Sequence, residues 1–293
     1  MAHEPETTTR TGLSAQSVET GLNTLLQQGW RRLLRAAAHF EQHHQQDPEA
    51  LHELRVSMRR LRSIYQAFAP AFAPDDPRPE SLRALFRRTN GQRDREVALT
   101  LLSSLPVPLP WLERQWQAEL HSATAAFSHL PQQIRQLSKL PDTAPHANQH
   151  PTLGLFAAQG LRKQDQRFRR QLMALLTQWQ DEDIHRLRIR CKKLRYLLEP
   201  FARQHRPCAR TVKPLKALQD AIGEYRDLQL LRATLKTLRK HENHPQRKKD
   251  LKQARRTLKR WQQQRKKALQ QTLQSEAESL SRSLQRSIAS LQG

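Results

Sequence analysis

Two stretches of the sequence place cations and a histidine at the spacing of one helix face. They are LHELRVSMRRLR at residues 51–62 and IHRLRIRCKKLR at residues 184–195. With about 100° and about 1.5 Å per helical residue, four positions in each stretch fall on an arc roughly 80° wide and roughly 15 Å long. The side chains on these arcs are His52, Arg55, Arg59, Arg62, His185, Arg188, Lys192 and Arg195. A row of donors with this spacing can hold an anion at several points at once.

The chemistry that these side chains can do is the binding of phosphate groups. A guanidinium donates two hydrogen bonds to phosphate oxygens, lysine adds a point charge, and histidine donates when neutral and adds charge when protonated. Neither row has an acid among its four members, whereas solvated helix faces usually mix charges of both signs. We therefore interpret the rows as ligands of a polymeric oxyanion, with the histidines as contacts rather than structural groups.

The two stretches are parts of an internal repeat. At one offset of 133 residues, the pair Arg93-Asp94 also matches Arg226-Asp227. If the halves pack about a pseudo-twofold axis, the two rows face each other and form a basic channel with a strong positive potential. Further cations of the repeat are secondary candidates for this site: Arg60, Lys193, Arg93, Arg226, Arg31 and Arg162.

The elements that must position these rows are helices. Leu, Ala, Gln, Arg and Glu recur along the chain and only 8 glycines and 3 tyrosines are present, which makes extended sheet unlikely on composition. Apolar residues follow the helical period beside each basic row, so both motif helices are predicted to bury one face. We expect an all-α protein of two four-helix bundles, with a long basic helix from about Gln246.

Glycine and acidic residues predict local features of the third helix in each half. Asn90-Gly91 and Gly223 are expected to break a short helix before the Arg-Asp pair. We interpret Asp94 and Asp227 as acids at a helix start or as partners of a nearby arginine, and not as catalytic groups.

The charge balance restricts the class of partner. The 293 residues include 51 Lys+Arg and 27 Asp+Glu, a formal net charge of +24 with all 13 histidines neutral. Such a charge indicates nucleic acid, an anionic membrane surface or polymeric phosphate. The two cysteines lack zinc or redox spacing, and the sequence has no signal peptide and no apolar run of membrane-spanning length. We expect a cytoplasmic protein without membrane insertion, metal or cofactor.

The chain is predicted to form one domain from two halves. Residues 1–12 are expected to be a disordered tail, and 13–140 and 152–291 are expected to be the helical halves of a domain over 13–291. The linker, 141–151, lies in a stretch with three prolines and without periodic apolar positions.

The doubled motif H-x-L-R-[VI]-x-x-x-[RK]-[RK]-L-R resembles that of the conserved histidine α-helical domain, the CHAD family, over about residues 13–291. The resemblance implies two four-helix bundles around a central basic channel that holds inorganic polyphosphate. By position, it implies the eight residues of the two rows as ligands. It also implies association with polyphosphate granules or regulation of polyphosphate metabolism. The first half departs from the second at Asn90-Gly91-Gln92, where the other copy has Gly223-Glu224-Tyr225.

Two alternative functions remain open on the sequence. A nucleic-acid binder would use the same cations, but single-strand recognition needs aromatic platforms and only Tyr196 lies near a basic row. A metal-dependent polyphosphate or triphosphate hydrolase would need carboxylates that match across the repeat, and the motif helices offer only Glu53, Asp183 and Glu199. We therefore expect a binding protein without catalytic residues. The basic stretch from Gln246 to Lys267 is either a second binding surface or a solvated face.

Overall fold

The fold is known from a computed structural model that describes residues 12–44, 47, 49–140 and 151–293. The predicted tail and linker lie outside these residues, apart from Gly12 and Pro151. All regular structure in the described residues is helical, which confirms the all-α prediction. The α-helices are α1 (Val18–His43), α2 (Glu49–Ala67), α3 (Arg78–Arg88), α4 (Asn90–Ser103), α5 (Pro110–Ala125), α6 (Leu130–Ser138), α7 (Leu153–Thr177), α8 (Asp181–Leu198), α9 (Arg206–His241) and α10 (Pro245–Ser290).

The two halves differ in the number of α-helices that their described residues form. The described residues of the second half form four α-helices, as expected, whereas those of the first half form six. In the first half the chain leaves the helix at Thr89, between α3 and α4, and again between α5 and α6. The break predicted at Asn90-Gly91 is therefore confirmed within one residue.

The break predicted at Gly223 is wrong, because α9 is continuous from Arg206 to His241. An added Cβ at Gly223 would lie 3.7 Å from the Arg188 guanidinium, an ordinary van der Waals contact, so α9 packs close to this cation of α8. Asp227 consequently lies in the middle of α9, and Asp94 lies beyond the first turn of α4. Neither acid begins a helix, so that part of their interpretation is also wrong.

The apolar arcs of the motif helices form the centre of the main core. Leu54, Met58 and Leu61 of α2 and Leu187, Cys191 and Leu194 of α8 are completely buried. This core joins both halves, since it also contains side chains of α1, α3, α6, α7, α9 and α10. Burial of each large apolar side chain contributes about 1.5–3 kcal/mol to the free energy of folding. The core therefore fixes which face of α2 and of α8 remains for the basic rows.

A second apolar cluster supports the far end of the α9–α10 hairpin. It contains Leu102 of α4 and Trp116 of α5, packed with Leu231 of α9 and Leu258 of α10. The hairpin therefore extends beyond the main core and has α4 and α5 on one of its faces. None of the helices in the described part of the chain has the length and apolar character needed to cross a membrane.

Close helix contacts hold the motif helices against their neighbours. An added Cβ at Gly29 of α1 would lie 2.8 Å from Leu61 Cδ1 of α2, and one at Gly160 of α7 would lie 3.4 Å from Leu197 Cδ1 of α8. A larger residue at Gly29 would require the Leu61 side chain to shift, whereas Gly160 is close to ordinary van der Waals contact.

Candidate functional site

Cations of the two basic rows come close to one another where α2 packs against α8. The pKa of Arg59 on α2 is lowered by the charges of Arg188 and Arg195 on α8, in addition to burial. Conversely, Lys192 on α8 lies close enough to Arg59 and Arg62 for their charges to lower its pKa. We call the converging side chains the basic cluster, which consists of Arg55, Arg59, Arg62, Arg93, Arg188, Lys192 and Arg195.

Arg55 is the most enclosed arginine of this cluster, with 8% of its surface exposed. Its Nη1 donates a hydrogen bond to the Thr89 hydroxyl, and its guanidinium carbon lies 4.8 Å from the centre of the Phe86 ring. Arg62 lies over the same ring at 4.6 Å. Burial lowers the pKa of Arg55 to about 10, because its partners are neutral and water is largely excluded.

Lys192 lies in a part of the cluster without compensating charge. Burial is the main cause that lowers its pKa to about 8, and repulsion by Arg188, Arg59, Arg195 and Arg62 adds to the effect. All of these causes favour loss of the proton, and no anion appears among them. The free protein therefore keeps this ammonium group charged near neutral pH against both desolvation and four neighbouring cations.

The second half of the cluster has fewer partners than the first. The residue that matches Thr89 is Ile222, which cannot accept a hydrogen bond through its side chain. Arg188 Nε is buried and has no hydrogen-bond partner among the described residues. A buried donor without a partner costs about 1–3 kcal/mol, so the site is set up to receive an acceptor at this position.

Acidic side chains lie beside some members of the cluster: Glu96 Oε2 lies 3.4 Å from Arg93 Nη1, and the charge of Glu96 opposes the lowering of the Arg55 pKa. At one end, burial raises the pKa of Asp227, which lies near Asp94 and is influenced by the charges of Arg188 and Arg93. This placement agrees with the alternative interpretation of Asp227 as a partner of nearby arginines. At the other end, Glu199 Oε1 lies 3.0 Å from Arg195 Nε, and burial raises the pKa of this carboxyl. These carboxylates therefore compensate part of the cluster, whereas no anion is among the causes that shift the pKa of Lys192.

The motif histidines are not packed into the core. Both are exposed, with His52 in the first turn of α2 and His185 just beyond the first turn of α8. Among the described residues, neither forms a hydrogen bond or an ion pair with the basic cluster. They extend the two rows toward the helix starts and are free to contact a ligand.

The secondary candidates divide into two groups. Arg93 belongs to the basic cluster through its effect on Arg55 and Arg59, and Arg60 influences Glu199 at the cluster's end. Arg226 is exposed beside Asp227. The other three lie elsewhere: Lys193 is near Arg190 and Arg167, Arg162 donates to Gln292, and Arg31 is exposed on α1 without influence on the perturbed cations.

Sequence reasoning missed the neutral residues that organise the first half of the site. Phe86 and Thr89 have no counterparts in the second half, where Gln219 and Ile222 occupy the matched positions. A search for residues shared by both halves passes over them for this reason. The signal that could have identified them is their spacing of three, which puts them on one face of the helix that follows the motif.

Neither cysteine belongs to a reactive or metal-binding centre. Both are free and buried, and burial raises the pKa of the Cys191 thiol to about 12. Within the described ranges, no group of three or more His, Cys, Asp or Glu side chains is placed to hold a metal ion.

Two solved structures are similar to this chain over most of its length. The crystal structure of the CHAD domain from the plant Ricinus communis shares 25% sequence identity, with coverage of 93% of this chain and 97% of that chain and a TM-score of 0.61. PptA from Streptomyces chartreusis has the same fold at 16% identity, with coverage of 88% of this chain and 100% of that chain and a TM-score of 0.67. No curated protein matches the chain in sequence.

The match to a family covers the region that carries both motif helices. The family model described as the CHAD domain matches residues 27–236, which is well over half of the chain. This range includes every member of the basic cluster, the Phe86–Thr89 contact and most of α9. Together with the fold shared with the Ricinus communis domain, this match assigns the chain to the CHAD domain family.

Proposed function

We propose that this protein binds inorganic polyphosphate along the basic cluster and performs no chemistry on it. The observation that carries the proposal is the convergence of seven cations from α2, α4 and α8, of which only Arg93 and Arg195 pair with a carboxylate among the described residues. A polyphosphate chain presents a negative charge at every repeat, so it can neutralise cations on both helices at once. The cytoplasmic location and recruitment to polyphosphate granules belong to the same proposal.

Electrostatics favour a polymer over a small anion at this site. Repulsion among the cations and their removal from water lower the pKa values of Arg55, Arg59, Arg62 and Lys192. A bound polyanion removes the repulsion, and its attraction is strong because the surrounding protein excludes water. A single phosphate would neutralise one part of the cluster and leave the rest unchanged.

Binding without hydrolysis is expected because cations outnumber carboxylates around the proposed position of the chain, and the described residues include no group of three or more His, Cys, Asp or Glu side chains placed to hold a metal ion. Asp94 and Asp227, the carboxylates that match across the repeat, lie at one end, where Arg93 and Arg188 influence Asp227. The measurement is release of orthophosphate from long-chain polyphosphate with magnesium or manganese added. Release above the rate without protein would contradict this part of the proposal.

Replacing Arg55 and Arg188 separately tests whether both halves contact the polymer. We expect Arg55→Ala and Arg188→Ala each to weaken polyphosphate binding by about 1.5–3 kcal/mol, because each removes a charge-assisted contact. Only Arg55→Ala is expected to lower the melting temperature as well, since Arg55 bonds to Thr89 and covers Phe86. Titration calorimetry and thermal unfolding measure the two effects.

Lys193→Ala is the matched control for these variants. Lys193 is exposed on α8 next to Lys192 but lies near Arg190 and Arg167, outside the basic cluster. We expect this control to bind as the parent does. If Arg188→Ala also bound normally, the second half would not be part of the site.

The motif histidines provide a second test on the acidic side of neutral pH. We expect binding by the parent to tighten as pH falls from about 7.5 to about 5.5 if these residues contact the polymer, since histidine is the residue type whose charge ordinarily changes in this range. The double variant His52→Gln, His185→Gln retains hydrogen-bond donors but cannot gain charge. It should bind less well and lose most of this pH dependence. An unchanged pH profile in the double variant would exclude the histidines as ligands.

A further inference from the structure

The α9–α10 hairpin has a second basic surface on the side away from α4 and α5. On α10, five cations fall within an arc of roughly 60° over roughly 27 Å, at about 100° and about 1.5 Å per residue. On α9, three more fall within an arc of similar width. We call this surface the hairpin face, which consists of Arg232, Lys236, Arg239, Lys248, Lys252, Arg255, Lys259 and Lys266.

Contacts between the two helices show that the two rows adjoin. Arg232 of α9 donates to Gln262 of α10, and Gln262 donates to the Tyr225 hydroxyl at 3.3 Å. At one end of the face, Lys266 Nζ lies 5.2 Å from the centre of the Trp179 ring. The cations of α9 and those of α10 therefore belong to one continuous surface.

The hairpin face carries no acid on either arc. The nearby acids lie at its two ends. At one end, Asp181 of α8 accepts hydrogen bonds from the Tyr225 hydroxyl and from Gln229. At the hairpin tip, Glu242 accepts a hydrogen bond from the His244 backbone and Asp250 accepts one from Gln246. Arg255 lies between the two rows, and its Nε is buried without a hydrogen-bond partner among the described residues. Desolvation and the charges of Arg239 and Arg232 lower its pKa. The face thus repeats the main electrostatic property of the basic cluster.

The hairpin face and the basic cluster lie on different sides of α9. Tyr225 lies on the side of the hairpin face, since its hydroxyl accepts a hydrogen bond from Gln262. Asp227 lies on the side of the cluster, near Arg188 and Arg93. These two positions are about 200° apart around the helix. On α10, Arg265 pairs with Glu224 at 3.3 Å on the side of the cluster, away from the lysines of the hairpin face. The two surfaces can therefore be occupied independently.

We propose that the hairpin face binds a second segment of inorganic polyphosphate, so that one protein molecule holds the polymer at two places. This inference rests on the proposed function of the basic cluster. Packed helices are about 8–10 Å apart, so one extended chain lying between the rows is within reach of long lysine and arginine side chains from both. Single-stranded nucleic acid would need several stacking platforms, and Trp179, the aromatic at this surface, is covered by Lys266. Membrane insertion would need exposed apolar side chains among the cations.

The test compares three variants with tripolyphosphate and with long-chain polyphosphate. The hairpin variant changes Lys236, Lys248, Lys252 and Lys259 to Gln, all of which are exposed. The cluster variant combines Arg59→Gln with Lys192→Gln. The control variant removes the same number of exposed cations from α1 and α7 by changing Arg32, Arg35, Lys163 and Arg170 to Gln.

We expect the hairpin variant to keep the parent's affinity for tripolyphosphate and to bind long chains at least about tenfold more weakly. Its plot of log affinity against log salt should be shallower by roughly three, since each lost contact releases about 0.7–0.9 fewer ions. The parent with long chains should scatter light through cross-linking, and the hairpin variant should not. The control variant should match the parent in all three measurements.

Two results would overturn the inference. A hairpin variant that behaves like the control variant would show that the face is only solvated, and preferential binding of duplex DNA or anionic vesicles by the face at the same salt would assign it another occupant. Failure of the proposed function gives a different result. In that case the cluster variant would keep the parent's affinity for tripolyphosphate.

Discussion

Long-chain polyphosphate is expected to bind this protein at least about a hundredfold more tightly than diphosphate, and orthophosphate is expected to bind most weakly. Each charge-assisted contact contributes about 1.5–3 kcal/mol, and about 1.4 kcal/mol corresponds to a factor of ten in affinity. Diphosphate can reach a few neighbouring cations, whereas a chain between α2 and α8 can reach the whole basic cluster. A difference of one or two contacts is already sufficient for the expected ratio.

The salt dependence of long-chain binding tests the same arrangement. Contacts with all seven cations of the cluster would give a slope of roughly −5 for log affinity against log salt, at about 0.7 ions released per contact. Diphosphate should give a much shallower slope. The hairpin variant is the appropriate protein for this measurement, because it isolates the cluster from the second surface. Equal affinities for diphosphate and the long chain would contradict binding along the rows.

The part of the site that the sequence predicts is the part that depends on helical period and on repetition. Burial of the apolar arcs leaves each basic row only one side of its helix, so Arg59 and Lys192 could be placed without knowledge of the tertiary contacts. The all-α fold follows for the same reason, since the chain has few residues that favour strands. The facing of α2 and α8 was expected from the repeat, and the mutual influence of their cations agrees with it.

What the sequence did not predict depends on contacts between unmatched residues. Gly223 was expected to end a helix, but it lies inside α9, where the helix packs against α8 and its Arg188. The Thr89 hydroxyl and the Phe86 ring stabilise Arg55 without any equivalent in the second half. These interactions join segments that are distant in sequence, and local propensity contains no information about them.

Polyphosphate affinity is expected to fall by about tenfold per pH unit above pH 8, because Lys192 must take up a proton to bind. In the free protein the pKa of Lys192 is lowered to about 8 by burial and by four cations. A bound polyanion favours the charged form and raises that pKa toward or above its ordinary value of about 10.4. Below pH 8 the group is charged in both states, so this residue adds no pH dependence there. Between about 8 and about 10 the free state loses its proton and the bound state keeps it, which gives up to about a hundredfold loss by linkage.

Lys192→Arg is the decisive control for this pH dependence. Arginine remains charged throughout the range, so the variant should bind with a nearly flat profile from pH 8 to pH 9.5. Lys192→Met should bind more weakly than the parent at pH 7 and also show a flat profile, because it never carries the charge. Phosphate groups complete their ionisation well below this range, with a second pKa of about 6 in phosphate esters, so the ligand's charge is constant. Proton uptake by the parent, measured by calorimetry in buffers of different ionisation enthalpy, should disappear in both variants, and an unchanged slope in Lys192→Arg would show that another group is responsible.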